Sequence, residues 1–150
     1  MNLEQYPIDI NPDFSDFEFS SIGPKGVIKK IVRFIKMDVQ DSTLDIYNLC
    51  FGDYNKAENT IDDLVVTDNK DPQKVLATVA EAVIVFTNKN PDILVFAEGS
   101  TPARTRYYTM GISSKIEEIR EIFEIWGYWD NRWELFQRNK GYTALLAKRK

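Results

Sequence analysis

The alternation of apolar and polar positions divides the chain into strand-like and helix-like stretches. After an extended arm over residues 1–14, holding Pro7 and Pro12, "DFEFSSIG" sets Phe17 and Phe19 among polar neighbours with the period-2 pattern of a half-buried strand. "GPKG" reads as a turn, because a proline and two glycines supply the backbone angles a reversal needs. The return stretch, 27–37, is rich in Val and Ile but charged on both faces, which suits a long twisted strand incompletely covered on either side. A second turn, "DVQDST", leads into "LDIYNLCFGD", where Leu44, Ile46 and Cys50 share one face and Tyr47, Leu49 and Phe51 the other. Beyond a polar loop, 53–60, "IDDLVVTD" is expected as a fourth strand. Four strands in succession pair most economically as an antiparallel meander.

"DPQKVLATVAEAVIVFTNKNP" carries the clearest helix signal. Asp71 is placed to cap the free N–H groups, Pro72 occupies the first helical position, and Pro91 stops the continuation. Leu76, Val79, Ala80, Val83 and Phe86 recur at three- and four-residue steps, so this face is expected to lie on the sheet. "DILVFAEG" (92–99) has the apolar density of a central strand. Residues 101 to about 125 then read as helical, with a break near Gly111 to Ser114, where Ser114 and Glu117 have the spacing of a capping box. The last stretch is expected to form two closing strands around hairpin chemistry at Asn139 to Gly141, with Trp129 and Trp133 on one strand face. The order β-β-β-β-α-β-α-β-β predicts a single α+β domain over 1–150, with a mainly antiparallel sheet packed by two helices.

Composition narrows the function classes. A chain of 150 residues with 43% apolar and 28% charged residues matches one globular domain with a full core. The net charge of −4 supplies no global positive field for nucleic acid, so such binding would be local. The basic segment 23–36 is the place for it, with Lys29, Lys30, Arg33 and Lys36 as candidate contacts. No apolar run reaches membrane-spanning length and the first residues lack a signal-peptide pattern, so a cytoplasmic location is expected. The single cysteine, Cys50, excludes an internal disulfide, points to a reducing compartment, and reads as a small buried hydrophobe. The chain has no histidine, which removes the commonest general base and the commonest transition-metal ligand. The acids at 53–71 lack calcium-loop spacing, so no metal, cofactor or catalytic residue is expected.

One stretch concentrates chemistry. In "VFAEGSTPARTRYYTMG" a strand breaks at Gly99, and Thr101 and Pro102 have the residue types of an N-cap and a first helical position. Free N–H groups and the positive end of the helix dipole point the same way there. With Arg104 and Arg106 nearby, Gly99, Ser100, Thr101, Arg104, Arg106 and Tyr108 form a candidate anion site. The same residues also serve ordinary capping, with both arginines paired to Glu98, Glu117 or Glu118. A phosphate-loop or dinucleotide fingerprint is missing. "YWDNRWELF" brings Trp129, Arg132 and Trp133 close in sequence, a pattern used for base stacking and, more commonly, for cores and oligomer contacts.

"FAEGSTPARTRYY" followed by "ISSKIEEIREIFEIWG" resembles a small bacterial family of unknown function whose members have about this length and a Gly-Ser-Thr-Pro-x-Arg-Thr-Arg-x-Tyr motif. The likeness extends through most of the chain and departs at Tyr107, where the family more often has an aliphatic residue. It implies that the motif residues act as a group, in fold or in function, and implies no activity. A non-enzymatic interaction or regulatory module with an anion-binding junction is the expected function. A single-stranded nucleic-acid binder is the alternative, since a strand meander followed by a helix resembles half of the topology of Whirly- and PC4-like proteins. A metal-independent nuclease or toxin–antitoxin component, using Glu98, Arg104, Arg106 and Tyr108, is the third. The partner is open between a protein, single-stranded nucleic acid and a second copy of the chain.

Overall fold

The computed structural model describes residues 4–63 and 69–150. Nine strands and three helices follow the order β1 (Asp9–Ile10), β2 (Asp16–Gly23), β3 (Gly26–Met37), β4 (Ile46–Asn55), β5 (Thr60–Asp62), α1 (Pro72–Lys89), β6 (Leu94–Ala97), α2 (Pro102–Ser114), α3 (Ile116–Ile122), β7 (Phe123–Trp129), β8 (Arg132–Leu135) and β9 (Ala144–Arg149). The strands form one open sheet in the order β1-β2-β3-β4-β6-β9-β7-β8, with β5 on β4. Every pairing is antiparallel except β4 with β6. The molecule is thus a single α+β domain, with three helices among the described residues where two were expected.

The meander forms where the alternation places it. Gly26, with φ +93°, closes the turn after Pro24 and Lys25, and Phe17 opposes Val32 across β2 and β3. The fourth expected strand is realised as β5; residues 64–68 of "IDDLVVTD" lie outside the described residues. Helix α1 starts and stops at the positions its prolines mark. Asp71 does not cap it by its side chain. The carboxylate instead accepts from Tyr6 Oη at 2.6 Å and from Ser21 Oγ at 2.5 Å, which ties the N-terminal arm and β2 to the start of α1.

The face of α1 is divided. Val75, Val79, Ala82 and Phe86 are buried on the sheet, where Phe86 stacks on Phe34 with 4.0 Å between ring centroids. Leu76, Ala80 and Val83 are only half-buried, because they line an apolar cavity between α1, the α2–α3 segment and the sheet.

Two further expectations change. The helical stretch breaks at Lys115 without a capping box, since Ser114 Oγ donates back to the Gly111 carbonyl and Lys115 is the N-cap of α3. The closing hairpin turns at Asp130 and Asn131, not at Asn139 to Gly141. Both residues have positive φ, 53° and 61°, as a two-residue turn of the type favoured in hairpins demands. Residues 136–143 are then a loop, and β9 enters the slot between β6 and β7. In this register Trp129 opposes Arg132 and Trp133 opposes Tyr128, so the two tryptophans lie on different strands and opposite faces. No described helix is long and apolar enough to cross a membrane.

Candidate functional site

Strand β4 has two partners on one edge. Residues 46–48 pair with β6 and residues 53–55 with β5, which among the described residues leaves 49–52 between them as a fork in the sheet. Asp45 O accepts from Leu94 N on this edge, and alternation places Phe51 O on the same edge. Arg104 Nη1 reaches into the fork and donates to Phe51 O at 3.3 Å, with the guanidinium 5.8 Å from the centroid of the Phe51 ring. A ladder carbonyl with no strand partner among the described residues thereby gains a charged donor.

The turn above the fork is closely knit. Thr101 caps α2, its hydroxyl accepting from Arg104 N at 3.2 Å, and Pro102 is the first helical residue. Thr105 Oγ1 accepts from Gly99 N at 2.9 Å, and Ser100 Oγ donates to Asp63 O at 2.7 Å. Gly99 is demanded by proximity and not by φ. A Cβ there would lie 2.4 Å from Thr105 N and 2.6 Å from Arg104 Cβ.

Two residues apart on a helix, Arg104 and Arg106 diverge. Arg104 turns inward with Tyr108, whose phenol is pushed up by burial against the opposing effect of Arg104. Arg106 is exposed and has no ion pair among the described residues. It lines a concavity between the Glu98–Thr101 turn and the 138–143 loop. Arg138 and Lys140 bring two more cations to that concavity. Arg138 is tethered to Glu117 at 3.6 Å, and Lys140 to Glu134 at 2.9 Å. Glu98 is the acid on the same rim. Sequence reasoning took 138–141 only as a turn; the run Arg138, Asn139, Lys140 was the signal that could have placed it here.

Tyr107 points a third way. Its hydroxyl donates to Pro72 O at 2.8 Å, joining α2 to the first turn of α1. Burial, the Asp71 carboxylate and Tyr108 push its phenol up to about 12.

The four candidate nucleic-acid contacts fall on both faces of β3. Lys30 is buried and paired with Asp53 at 2.5 Å; Arg33 holds Asp16 at 2.8 Å and Asn59 at 2.9 Å. Lys36 sits 3.6 Å from Asp45, and Lys29 is exposed. Lys30 and Arg104 both lie 5.8 Å from the Phe51 ring centroid, so this ring joins the basic strand to the junction. Cys50 is half-buried rather than buried, and burial raises its thiol pKa. Among the described residues no cluster of three or more His, Cys, Asp or Glu has metal-binding geometry.

These features define a class before they define a protein: a two-layer α+β domain with all its helices on one sheet face and a forked β4 edge that receives the N-terminus of α2. A family model described as a family of unknown function, DUF6934, matches residues 2–150, and the chain belongs to that family. No curated protein and no solved structure matches it.

Proposed function

We propose that this protein is a non-enzymatic interaction module that receives an anionic group of its partner in the concavity beside Gly99, Ser100 and Thr101. The observation that carries this reading is Arg106, an exposed guanidinium with no ion pair among the described residues, on the wall of a concavity to which Arg138 and Lys140 also contribute. A planar fork of donors beside a capped helix start suits a phosphate or carboxylate. Arg104, donating to Phe51 O, and Tyr108, packed against the core, hold α2 beneath the site.

The reading as a single-stranded nucleic-acid binder has less behind it. Lys30, Arg33 and Lys36 each face a carboxylate, and neutralised cations release few counterions from a phosphate backbone. The aromatic residues Phe96, Tyr128 and Trp133 do meet on the helix-free face, with Trp133 5.1 Å from Tyr128 and 6.3 Å from Phe96 between ring centroids. This platform is what favours stacking. A nuclease built on Glu98, Arg104, Arg106 and Tyr108 would need them to converge, whereas Arg104 and Arg106 turn to different sides of α2.

Titration with inorganic phosphate and tripolyphosphate, followed by thermal shift, tests the proposal. The wild-type chain should be stabilised, and Arg106→Ala should lose the shift while keeping its own melting temperature. Equal shifts in wild type and Arg106→Ala would overturn it. A labelled oligothymidylate that binds the wild type at low salt, and Trp133→Ala much less, would favour the nucleic-acid reading instead.

A further inference from the structure

The cavity beneath the helices has a volume of about 280 Å³. Its walls are almost wholly aliphatic. Leu76, Val83 and Ile84 come from α1, Ile112 and Ile119 from the α2–α3 segment, and the sheet supplies the floor. Close-packed interiors rarely leave voids beyond the size of a water, and an apolar void of this size loses contacts on every wall. Polar residues reach it only as Gln73, Ser114 and Lys115, together with the phenol of Tyr108. Gln73 and Ser114 are exposed and Lys115 half-buried, so these three mark the mouth. The Lys115 ammonium has no ion pair among the described residues.

The wall formed by α2 and α3 packs largely through half-buried side chains, with Tyr108, Ile112, Ile119 and Ile122 against the core. Thr105 and Thr109 are the only buried residues of α2 and Ile116 the only one of α3. Thr105 Oγ1 donates to the carbonyl of the N-cap Thr101, and Thr109 Oγ1 to that of Thr105. The helices approach closely where Gly111 meets Leu76, where a Cβ would lie 2.7 Å from Leu76 Cδ1. The Lys115 break between α2 and α3 lies at the mouth.

We propose that this cavity is a ligand site for a medium-chain aliphatic carboxylate, the chain lying between α1 and the α2–α3 segment and the carboxylate meeting Lys115. A chain on the order of ten carbons fits, since a methylene fills roughly the ~30 Å³ that a water molecule takes. Charge complementarity selects the head group: Lys115, which has no ion pair among the described residues, lines the polar end of an otherwise apolar pocket, the usual division of labour in small-molecule sites. Ser114 borders both this cavity and the Arg106 concavity, while the other α2 residues of the two differ.

Calorimetric titration of the full chain with decanoate and with decanol tests this, together with sedimentation in the absence of ligand. Wild type should bind decanoate with a rise in melting temperature. Lys115→Met should weaken decanoate at least tenfold and leave decanol unchanged. Ala80→Phe, which fills the cavity, should abolish binding of both, and Ala80→Leu serves if the larger side chain prevents folding. Undetectable decanoate binding to wild type overturns the proposal, as does undiminished binding to the filled variant. Equal loss of decanoate and decanol in Lys115→Met overturns the head-group assignment. A ligand-free dimer that the filling variant dissociates would mean that a second copy covers the cavity. Arg106→Ala should leave decanoate binding unchanged, so failure at the anion concavity and failure here are read separately.

Discussion

A residue's role in the motif segment is set by which side of α2 it leaves from. Thr101 and Pro102 were legible in the sequence, because capping is a local interaction within three residues. Gly99 was legible as a break, but its reason was not, since the atoms that exclude a Cβ belong to the next helical turn. Gly99→Ala should therefore destabilise the fold by about 1–3 kcal/mol, the range of overpacking in a tight site. Chemical denaturation should show this loss, while Thr101→Ala, which removes only a cap, should lose about 1 kcal/mol. Tyr107 gives a prediction of different kind. Its phenol is raised to about 12, so the neutral form is favoured in the folded state. The associated stability is complete below the ordinary tyrosine value near ~10 and is lost as pH rises toward the folded value. Denaturation midpoints should fall between those pH values in wild type, and Tyr107→Phe should flatten that part of the decline. An unchanged alkaline slope in the variant would count against the burial that raises this phenol.

Elements were read well where their signals are internal and poorly where a distant strand decides. Helix α1 keeps its expected bounds because prolines fix both ends. Its predicted stripe is buried at Val79 and Phe86, whereas Leu76 and Val83 are only half-buried along the cavity, a distinction no periodicity can draw. The closing hairpin was misplaced because Asn139 to Gly141 also has turn chemistry, and Asn139 does take a left-handed φ of 63°. What decides between the turns is the tertiary position of Tyr142. Its hydroxyl accepts from Gln137 N and donates to Glu134, both at 3.0 Å, which folds 136–143 back as a loop. Its ring lies flat against Gly127, where a Cβ would fall 2.3 Å from the ring. Gly127→Ala should expel that ring and cost about 1–3 kcal/mol. Hydrogen exchange should then quicken in β7 and β9 together, while β2 and β3 keep their protection. Uniform loosening of the whole sheet would contradict a local role.

At the scale of the whole molecule, the fold class was legible in the order of elements, but what ties the N-terminal arm to the middle of the chain was not. Tyr6, in the arm, is 5% exposed, stacks on Phe19 at 5.9 Å and lies beneath the Lys74 ammonium at 4.3 Å. Its backbone N–H donates to Thr78 Oγ1 at 2.9 Å, while its hydroxyl donates to Asp71 and accepts from Ile22 N at 3.1 Å. Nothing in "MNLEQYPIDI" marks this tyrosine, because its partners lie on β2 and α1. Asn69 extends the network, donating to Ser21 Oγ at 3.0 Å and accepting from Lys25 N at 2.8 Å. The arm, the β2–β3 hairpin and the start of α1 thus share one set of polar contacts. Tyr6→Phe retains the ring stack and deletes only the hydroxyl, leaving the Asp71 carboxylate with one donor fewer. The expected loss is about 1–3 kcal/mol, as for a hydrogen bond to a charged, half-buried acceptor. If the network acts as a unit, hydrogen exchange in the variant should rise at both the start of α1 and the β2–β3 turn, although those segments are some fifty residues apart. Faster exchange confined to the arm would show that it only rests on the surface.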